Sequence, residues 1–217
     1  MMKQAVIFDL DGTLLNSLGD LTGAVNHALT AQGFPTHTEA EVRSYVGDGV
    51  KQLIARSCPP GTDEVTQAAV LADYLPHYAA HNTDKTVPYP GVMTLLRELK
   101  GAGYALGVVS NKHAAGVQAL CAHFFGDLLD IAVGADETRP RKPAPDGLLY
   151  AMEQLGVAPE DTWFVGDSVQ DVMTAHAAGV RSVAVTWGFQ DSDRLIAEQP
   201  TAMAHEAEEV ANAVRFL

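Results

Sequence analysis

The sequence has little cysteine, little positive charge and no long hydrophobic run, and each deficit excludes a class of protein. Two cysteines, Cys58 and Cys121, are too few for a disulfide framework, so we expect buried free thiols in a reducing compartment. Fourteen Lys and Arg against 27 Asp and Glu leave a formal charge of −13. This sign opposes binding to nucleic acid or to anionic lipid, so any anionic substrate would need local positive groups.

The apolar residues are distributed as in a globular protein and not as in a membrane protein. The run that ends at Phe8 is short and is cut off by Asp9, so it resembles neither a signal peptide nor a membrane span. Hydrophobic residues make up 47% of the 217 residues and charged residues 19%. We therefore expect a cytoplasmic protein with one large domain or two small ones.

Short apolar runs alternate with helical patterns over most of the chain. The runs predict buried strands at residues 4–8, 105–109, 131–133, 163–165 and 182–185. Helical periodicity separates most of these runs, at residues 92–100, 114–123 and 146–155. A short strand at 202–204 and a last helix at 206–216 complete the pattern. This order predicts an α/β fold, a Rossmann-like parallel sheet with helices on both faces.

One segment, residues 17–81, breaks the alternation because it shows helical periodicity without a convincing strand. Apolar residues form a stripe from Leu18 to Leu29, and further helices are predicted at 39–46, 50–57 and 63–81. We expect the last of these to be bent or interrupted near Pro76. The predicted organisation is a core domain of residues 1–15 and 84–217 and an inserted helical cap domain of residues 16–83.

Polar residues follow the predicted strands at the sheet edge where open α/β folds bind ligands. They comprise an Asp-Leu-Asp-Gly-Thr run at Asp9–Thr13, a Ser-Asn-Lys run at 110–112, Lys142 in a proline-bounded loop, and a Gly-Asp-Ser-Val-Gln-Asp run at 166–171. Each group alone has a simpler explanation as a turn, a helix cap or a surface charge. Their combination at successive strand ends indicates a single site.

These four motifs, in this order, resemble those of the haloacid dehalogenase-like hydrolase superfamily. The resemblance extends from Asp9 to Asp171, and the helical insert is similar to the cap of the phosphoglycolate phosphatase-like subfamily. The Val-Gly-Asp-Gly run at 46–49 and the Lys-Pro-Ala-Pro-Asp run at 142–146 are similar to the same subfamily.

The residue types suit transfer of a phosphoryl group, because a carboxylate can attack a phosphate ester only if a cation offsets their repulsion. The resemblance implies Mg²⁺ as that cation, with metal ligands among Asp9, Asp11, Asp167 and Asp171, the last acting through a metal-bound water. It implies Asp9 as nucleophile, Asp11 as general acid and base, and Ser110 and Lys142 as phosphoryl-binding groups. Substrate contacts are expected from Thr13, Asn111, Gly47, Asp48 and Gly49.

The resemblance implies a Mg²⁺-dependent phosphatase of a small phosphorylated metabolite, with 2-phosphoglycolate as the first candidate. Alternatives are a phosphomutase similar to β-phosphoglucomutase, a pyrophosphatase and a sugar-phosphate phosphatase. A phospho-receiver module is a remote non-enzyme alternative, because such modules need only about half of this length and lack a large helical insert. Dehalogenation is disfavoured by Asp11, since a departing halide needs no proton.

Several other residues are expected to have structural roles. Asp48 can begin a helix as its N-cap, and Trp187 and Phe189 are expected to be packing groups. The eight histidines show no metal-binding motif, and His77 and His81, one helical turn apart, are expected to lie on a solvated face.

Overall fold

The structure, a computed structural model, describes residues 4–216 and divides into two compact units. One unit contains the described residues up to Leu15 together with those from Pro88 onward, and the other unit is Asn16–Val87. The boundaries lie within short strands, β2 (Leu15–Asn16) and β3 (Val87–Pro88), which pair with each other in a two-stranded sheet.

The first unit is built on a six-stranded parallel sheet. Its strands are β1 (Ala5–Phe8), β4 (Ala105–His113), β5 (Ile131–Ala135), β6 (Thr162–Gly166), β7 (Arg181–Val185) and β8 (Ala202–Ala204). They lie in the order β5-β4-β1-β6-β7-β8. The predicted α/β fold with a parallel sheet is therefore confirmed.

Six α-helices belong to this unit among the described residues. They are α5 (Val92–Gly101), α6 (Ala114–Phe125), α7 (Asp146–Leu155), α8 (Val169–Ala178), α9 (Ser192–Ala197) and α10 (Ala207–Phe216). Two large apolar clusters lie in the unit, one around Phe8 and Trp163 and the other around Ile7 and Phe164, beside a small third one that contains Leu195. Adjacent residues of β1 and β6 thus contribute to different clusters, because successive side chains of a strand point to opposite faces of the sheet.

The second unit has an apolar core of its own, which includes Val25, Val42, Ile54 and Tyr74. Its helices are α1 (Leu18–Ala31), α2 (Glu39–Tyr45), α3 (Val50–Ser57) and α4 (Glu64–His81). The expected interruption near Pro76 is wrong, because α4 continues through that residue, and the alternative of a bend there stays a prediction.

Two other expectations need correction, and one is confirmed. Strand β4 continues to His113, so Ser110, Asn111 and Lys112 lie within the strand and not beyond it. Asp48 is not a helix N-cap, because α3 begins after Gly49 and the Asp48 carboxylate pairs with Arg56. Both cysteines are free and buried, as expected. No helix among residues 4–216 has the length and apolar character needed to cross a membrane.

Candidate active site

Three aspartates converge beyond the ends of β1 and β6. Asp9 directly follows β1, Asp167 directly follows β6, and Asp171 lies in the first turn of α8. One oxygen from each carboxylate lies within 4.8 Å of the others, and all three residues are buried. The parallel sheet produces this cluster because β1 and β6 are neighbours that end at the same edge.

Lys142 connects two of these carboxylates. Its Nζ lies 2.7 Å from Asp9 Oδ1 and 2.6 Å from Asp171 Oδ1. Burial alone would lower the pKa of Lys142, but the negative charges of Asp171 and Asp9 outweigh it and raise the pKa above its usual value. Lys142 is therefore a permanent cation at the centre of the site.

Asp11 pairs with a second lysine, Lys112. Lys112 Nζ donates to both carboxylate oxygens of Asp11, at 3.1 Å and 2.8 Å, and both side chains are only 12% exposed. The sequence indicated no role for Lys112. Its place in the Ser-Asn-Lys run at 110–112, beside two predicted phosphate-binding residues, was the available signal.

Asp167 is held by groups from two other segments. The Thr13 hydroxyl donates to Asp167 Oδ1 at 3.0 Å, and the backbone N–H of Phe189 donates to Oδ2 at 2.7 Å. The Thr13 hydroxyl thus helps to hold Asp167 in place, and the predicted substrate contact of Thr13 stays a prediction. Trp187 lies in the same region and donates from Nε1 to the Thr13 carbonyl at 3.0 Å.

Glycine is required at two positions around Asp167. Gly12 has φ +93°, and a Cβ atom there would lie 2.3 Å from Asp167 Oδ2. A Cβ atom on Gly188 would also lie 2.3 Å from the Asp167 side chain. The absence of these two side chains makes the space that the Asp167 carboxylate occupies.

Asp171 has partners for both of its oxygens. Beyond the contact of Oδ1 with Lys142, Oδ2 accepts from the Ser168 backbone N–H at 3.0 Å and from the Ser168 hydroxyl at 2.5 Å. The Ser168 hydroxyl in turn accepts from the Asp171 N–H, which completes a capping box at the start of α8. This bonding orients Asp171 towards Lys142.

Asn111 fixes the loop that carries Lys142. Its side-chain oxygen accepts from the Lys142 N–H at 2.8 Å, and its amide nitrogen donates to the Lys142 carbonyl at 3.1 Å. Ser110 and Asn111 also line a small cavity together with Lys142, Arg139 and Arg141. Cationic side chains therefore border this cavity in a protein whose net charge is strongly negative.

The carboxylate cluster has too much negative charge to be balanced by Lys142 alone. Burial raises the pKa of Asp9 to about 6, against the opposing influence of the Lys142 charge. Burial, together with the charges of Asp9 and Asp171, raises the pKa of Asp167 to about 8. If all three carboxylates are ionised, one ammonium leaves two negative charges, and a cluster of hard oxygen atoms suits a divalent cation that would balance them.

The predicted cap loop Gly47, Asp48 and Gly49 belongs to the second unit. Arg56 holds it from within that unit, because its guanidinium contacts Asp48 Oδ2 at 2.5 Å and the Tyr45 carbonyl at 2.9 Å. The contact of this loop with substrate remains a prediction.

The arrangement of an aspartate nucleophile candidate, a lysine and further aspartates at the edge of a parallel sheet is that of a phosphoryl-transfer enzyme. A family model described as haloacid dehalogenase-like hydrolase matches residues 6–185, and the chain belongs to this family. The enzyme class that the comparisons support is phosphoric monoester hydrolase.

Relatives of known name match nearly the whole chain. Phosphoglycolate phosphatase 1 of Pseudomonas aeruginosa is 36% identical over 206 residues, which are 92% of this chain and 75% of that protein. Phosphoglycolate phosphatase of Vibrio vulnificus is 35% identical over 218 residues, which are 96% of this chain and 95% of that protein.

Solved structures show the same fold. The crystal structure of a predicted phosphoglycolate phosphatase from Haemophilus somnus 129pt is 28% identical and has a TM-score of 0.92, covering 99% of both chains. The crystal structure of a predicted phosphatase from Clostridium acetobutylicum is 25% identical and has a TM-score of 0.87, covering 100% of both chains.

Proposed function

We propose that the protein is a Mg²⁺-dependent phosphatase that hydrolyses 2-phosphoglycolate to glycolate and phosphate through an aspartyl-phosphate. The observation that carries this proposal is the position of Asp9, whose Oδ1 lies 2.7 Å from Lys142 Nζ within a cluster of three buried carboxylates. The choice of substrate is supported by the names of the two relatives given above. The matched part of this chain covers at least 75% of the length of each of them.

Asp9, Asp167 and the backbone carbonyl of Asp11 would hold Mg²⁺. When bound, Mg²⁺ supplies the positive charge that lets a carboxylate approach a phosphate ester. Asp171 supports the site from outside this set, because its oxygens are bonded to Lys142 and Ser168. Its role is to keep the Lys142 ammonium beside Asp9.

In the first half of the reaction, an oxygen of Asp9 attacks phosphorus and the ester oxygen departs. Lys142 offsets the negative charge of Asp9 and of the phosphoryl oxygens, and Ser110 and the backbone N–H of Asn111 bind those oxygens. Asp11 donates a proton to the departing alkoxide.

In the second half, water attacks the phosphorus of the aspartyl-phosphate and Asp9 is regenerated. Asp11, which lost its proton in the first half, accepts one from this water, so that the cycle closes without net proton transfer to the enzyme. Lys112 donates to both oxygens of Asp11 in the protein without substrate and so positions this side chain. One Asp11 oxygen must leave Lys112 and take up a proton before Asp11 can act as the acid, while the other oxygen keeps the contact.

The experiment that tests this function compares kcat/KM for 2-phosphoglycolate, β-glucose 1-phosphate and pyrophosphate, each with and without Mg²⁺. We expect hydrolysis to require Mg²⁺ and to be fastest for 2-phosphoglycolate. A preference for pyrophosphate or a sugar phosphate would contradict 2-phosphoglycolate as the substrate, while the protein would still be a phosphatase. Conversion of β-glucose 1-phosphate to glucose 6-phosphate without phosphate release would instead identify a mutase.

A further inference from the structure

Lys112 brings a second, largely buried ammonium into the site, on the side where the leaving group departs. Its Nζ lies 2.8 Å and 3.1 Å from the two oxygens of Asp11. Under the proposed function, on which this inference rests, Asp11 protonates the ester oxygen and must come within about 2.6–3.2 Å of it. The Lys112 ammonium therefore lies beside the leaving group, whereas Lys142 contacts the nucleophile Asp9.

We propose that Lys112 determines the substrate specificity of the enzyme by binding the carboxylate of 2-phosphoglycolate. A single methylene joins this carboxylate to the ester oxygen, so the carboxylate lies next to the atom that Asp11 must reach. An ammonium group is a donor only and forms its strongest hydrogen bonds with ionised acceptors. The preferred substrates are then phosphate monoesters whose leaving group carries a carboxylate close to the ester oxygen.

The contact with the substrate becomes possible when Asp11 turns towards the ester oxygen. One Asp11 oxygen then leaves Lys112, and the N–H group that donated to it becomes available to the substrate carboxylate. The other Asp11 oxygen keeps the ammonium in place. Because this contact forms on the way to the transition state, its loss should lower kcat and leave KM little changed.

The fold orders the Lys112 side chain before any substrate binds. A Cβ atom on Gly116 would lie 3.7 Å from both Cγ and Cδ of Lys112, so the lysine stem runs along the first turn of α6. The side chain is only 12% exposed. Since the ammonium is already held in place, little conformational entropy is lost when it binds the substrate.

Two arginines that line the same cavity as Ser110 are the other cations to which the carboxylate could bind. Arg139 already pairs with Asp136 and lies over the ring of Tyr150. Arg141 is exposed, so water weakens an ion pair at this position. Arg141 therefore provides the control for a general effect of positive charge on an anionic substrate.

Hydrolysis of 2-phosphoglycolate and of its neutral amide, 2-phosphoglycolamide, by the full chain in saturating Mg²⁺ tests this role of Lys112. We expect the parent to have the higher kcat/KM for the carboxylate. Lys112→Met should lower the ratio of the two kcat/KM values by about tenfold or more, whereas Lys112→Arg should keep most of it. Arg141→Gln should change the ratio little. Weaker positioning of Asp11 slows both esters alike, so it cancels from the ratio.

The outcomes distinguish this role of Lys112 from the proposed function. If the parent released no phosphate from 2-phosphoglycolate, the proposed function and the role of Lys112 would both be contradicted. If the parent hydrolysed both esters with equal kcat/KM, only the role of Lys112 would be overturned, and no variant is needed for that result. The parental ratio in folded Lys112→Met or Lys112→Gln, or a larger fall in Arg141→Gln, would overturn it as well. Circular dichroism establishes that each variant is folded.

Discussion

Lys142 Nζ lies 2.7 Å from Asp9 Oδ1, and both side chains are almost completely buried. The contact joins a strand end to a loop 133 residues later in the sequence, and Asp171 bonds the same ammonium from a third segment. Removing one partner from a buried ion pair leaves a charge without compensation, which costs about 3–5 kcal/mol.

Lys142→Met should therefore lower both stability and activity. We expect the free energy of unfolding to fall by about 3 kcal/mol at neutral pH and phosphate release to fall by about 10²-fold or more. Urea denaturation and steady-state kinetics measure the two effects. Lys100→Met, which removes a partly exposed pair with Asp130, is the control and should cost about 1 kcal/mol at most. Equal effects of the two substitutions would contradict the central role of Lys142.

Asp9→Asn should abolish phosphate release while leaving the protein folded, because an amide cannot form the covalent intermediate. Acid-quenched reactions with ³²P-labelled substrate should show protein-bound label in the parent and none in the variant. Asp127→Asn, at an exposed position, should retain both label and turnover. Labelling of Asp9→Asn at the parental level would place the nucleophile elsewhere.

Lys112→Met should slow the chemical steps that depend on Asp11, because the carboxylate loses the two contacts that position it. We expect kcat to fall by about tenfold or more with KM little changed, and Lys112→Arg to recover part of the loss. Asp11→Asn should show the larger loss, about 10²–10⁴-fold, in both intermediate formation and its hydrolysis. If Lys112→Met had the same kcat as the parent protein, the pairing of Lys112 with Asp11 would have no catalytic consequence.

Gly12→Ala should weaken Mg²⁺ binding, because its Cβ atom would lie 2.3 Å from Asp167 Oδ2 and displace the carboxylate. Gly103→Ala is a matched control, since Gly103 has nearly the same φ, +92° against +93°, but nothing within 4 Å of its Cβ position. Both variants should lose about 1–2 kcal/mol of stability from backbone strain. Activity measured at increasing Mg²⁺ concentration should distinguish the two variants, with Gly12→Ala needing more Mg²⁺ than Gly103→Ala. Equal Mg²⁺ dependence of the two variants would refute the steric argument.

Stability without metal should decrease as the pH rises from about 4 to about 8. The carboxyl groups of Asp9 and Asp167 have pKa values raised to about 6 and about 8 in the folded protein, so the folded state binds more protons than the unfolded state in this interval. Mg²⁺ should oppose the loss, and its stabilising effect should grow with pH because fewer protons compete for the carboxylates.

Thermal denaturation with EDTA and with Mg²⁺ across this pH interval measures the effect. Asp167→Asn should reduce both the pH dependence and the response to Mg²⁺. A response to Mg²⁺ that is the same at pH 5.5 and pH 8.5 would contradict the proposed competition.

The sequence by itself determined the fold class and the chemical types in the site. Continuous apolar runs such as Ile7-Phe8 and Phe164-Val165 identify strands that are buried on both faces, and the residues that follow such strands lie at one edge of a parallel sheet. These relations depend only on local periodicity and chain order. The sequence alone therefore places Asp9 and Asp167 at a common edge of the sheet.

Only the tertiary structure decided how the polar groups pair. The sequence did not indicate that the Thr13 hydroxyl donates to Asp167, and it indicated no role for Lys112, which donates to Asp11. The same limit applies to His27 and His77, which are 50 residues apart in the chain and stacked in the fold. Hydrogen bonds and ion pairs depend on distances and angles between side chains from different elements, and these are set only when the elements pack.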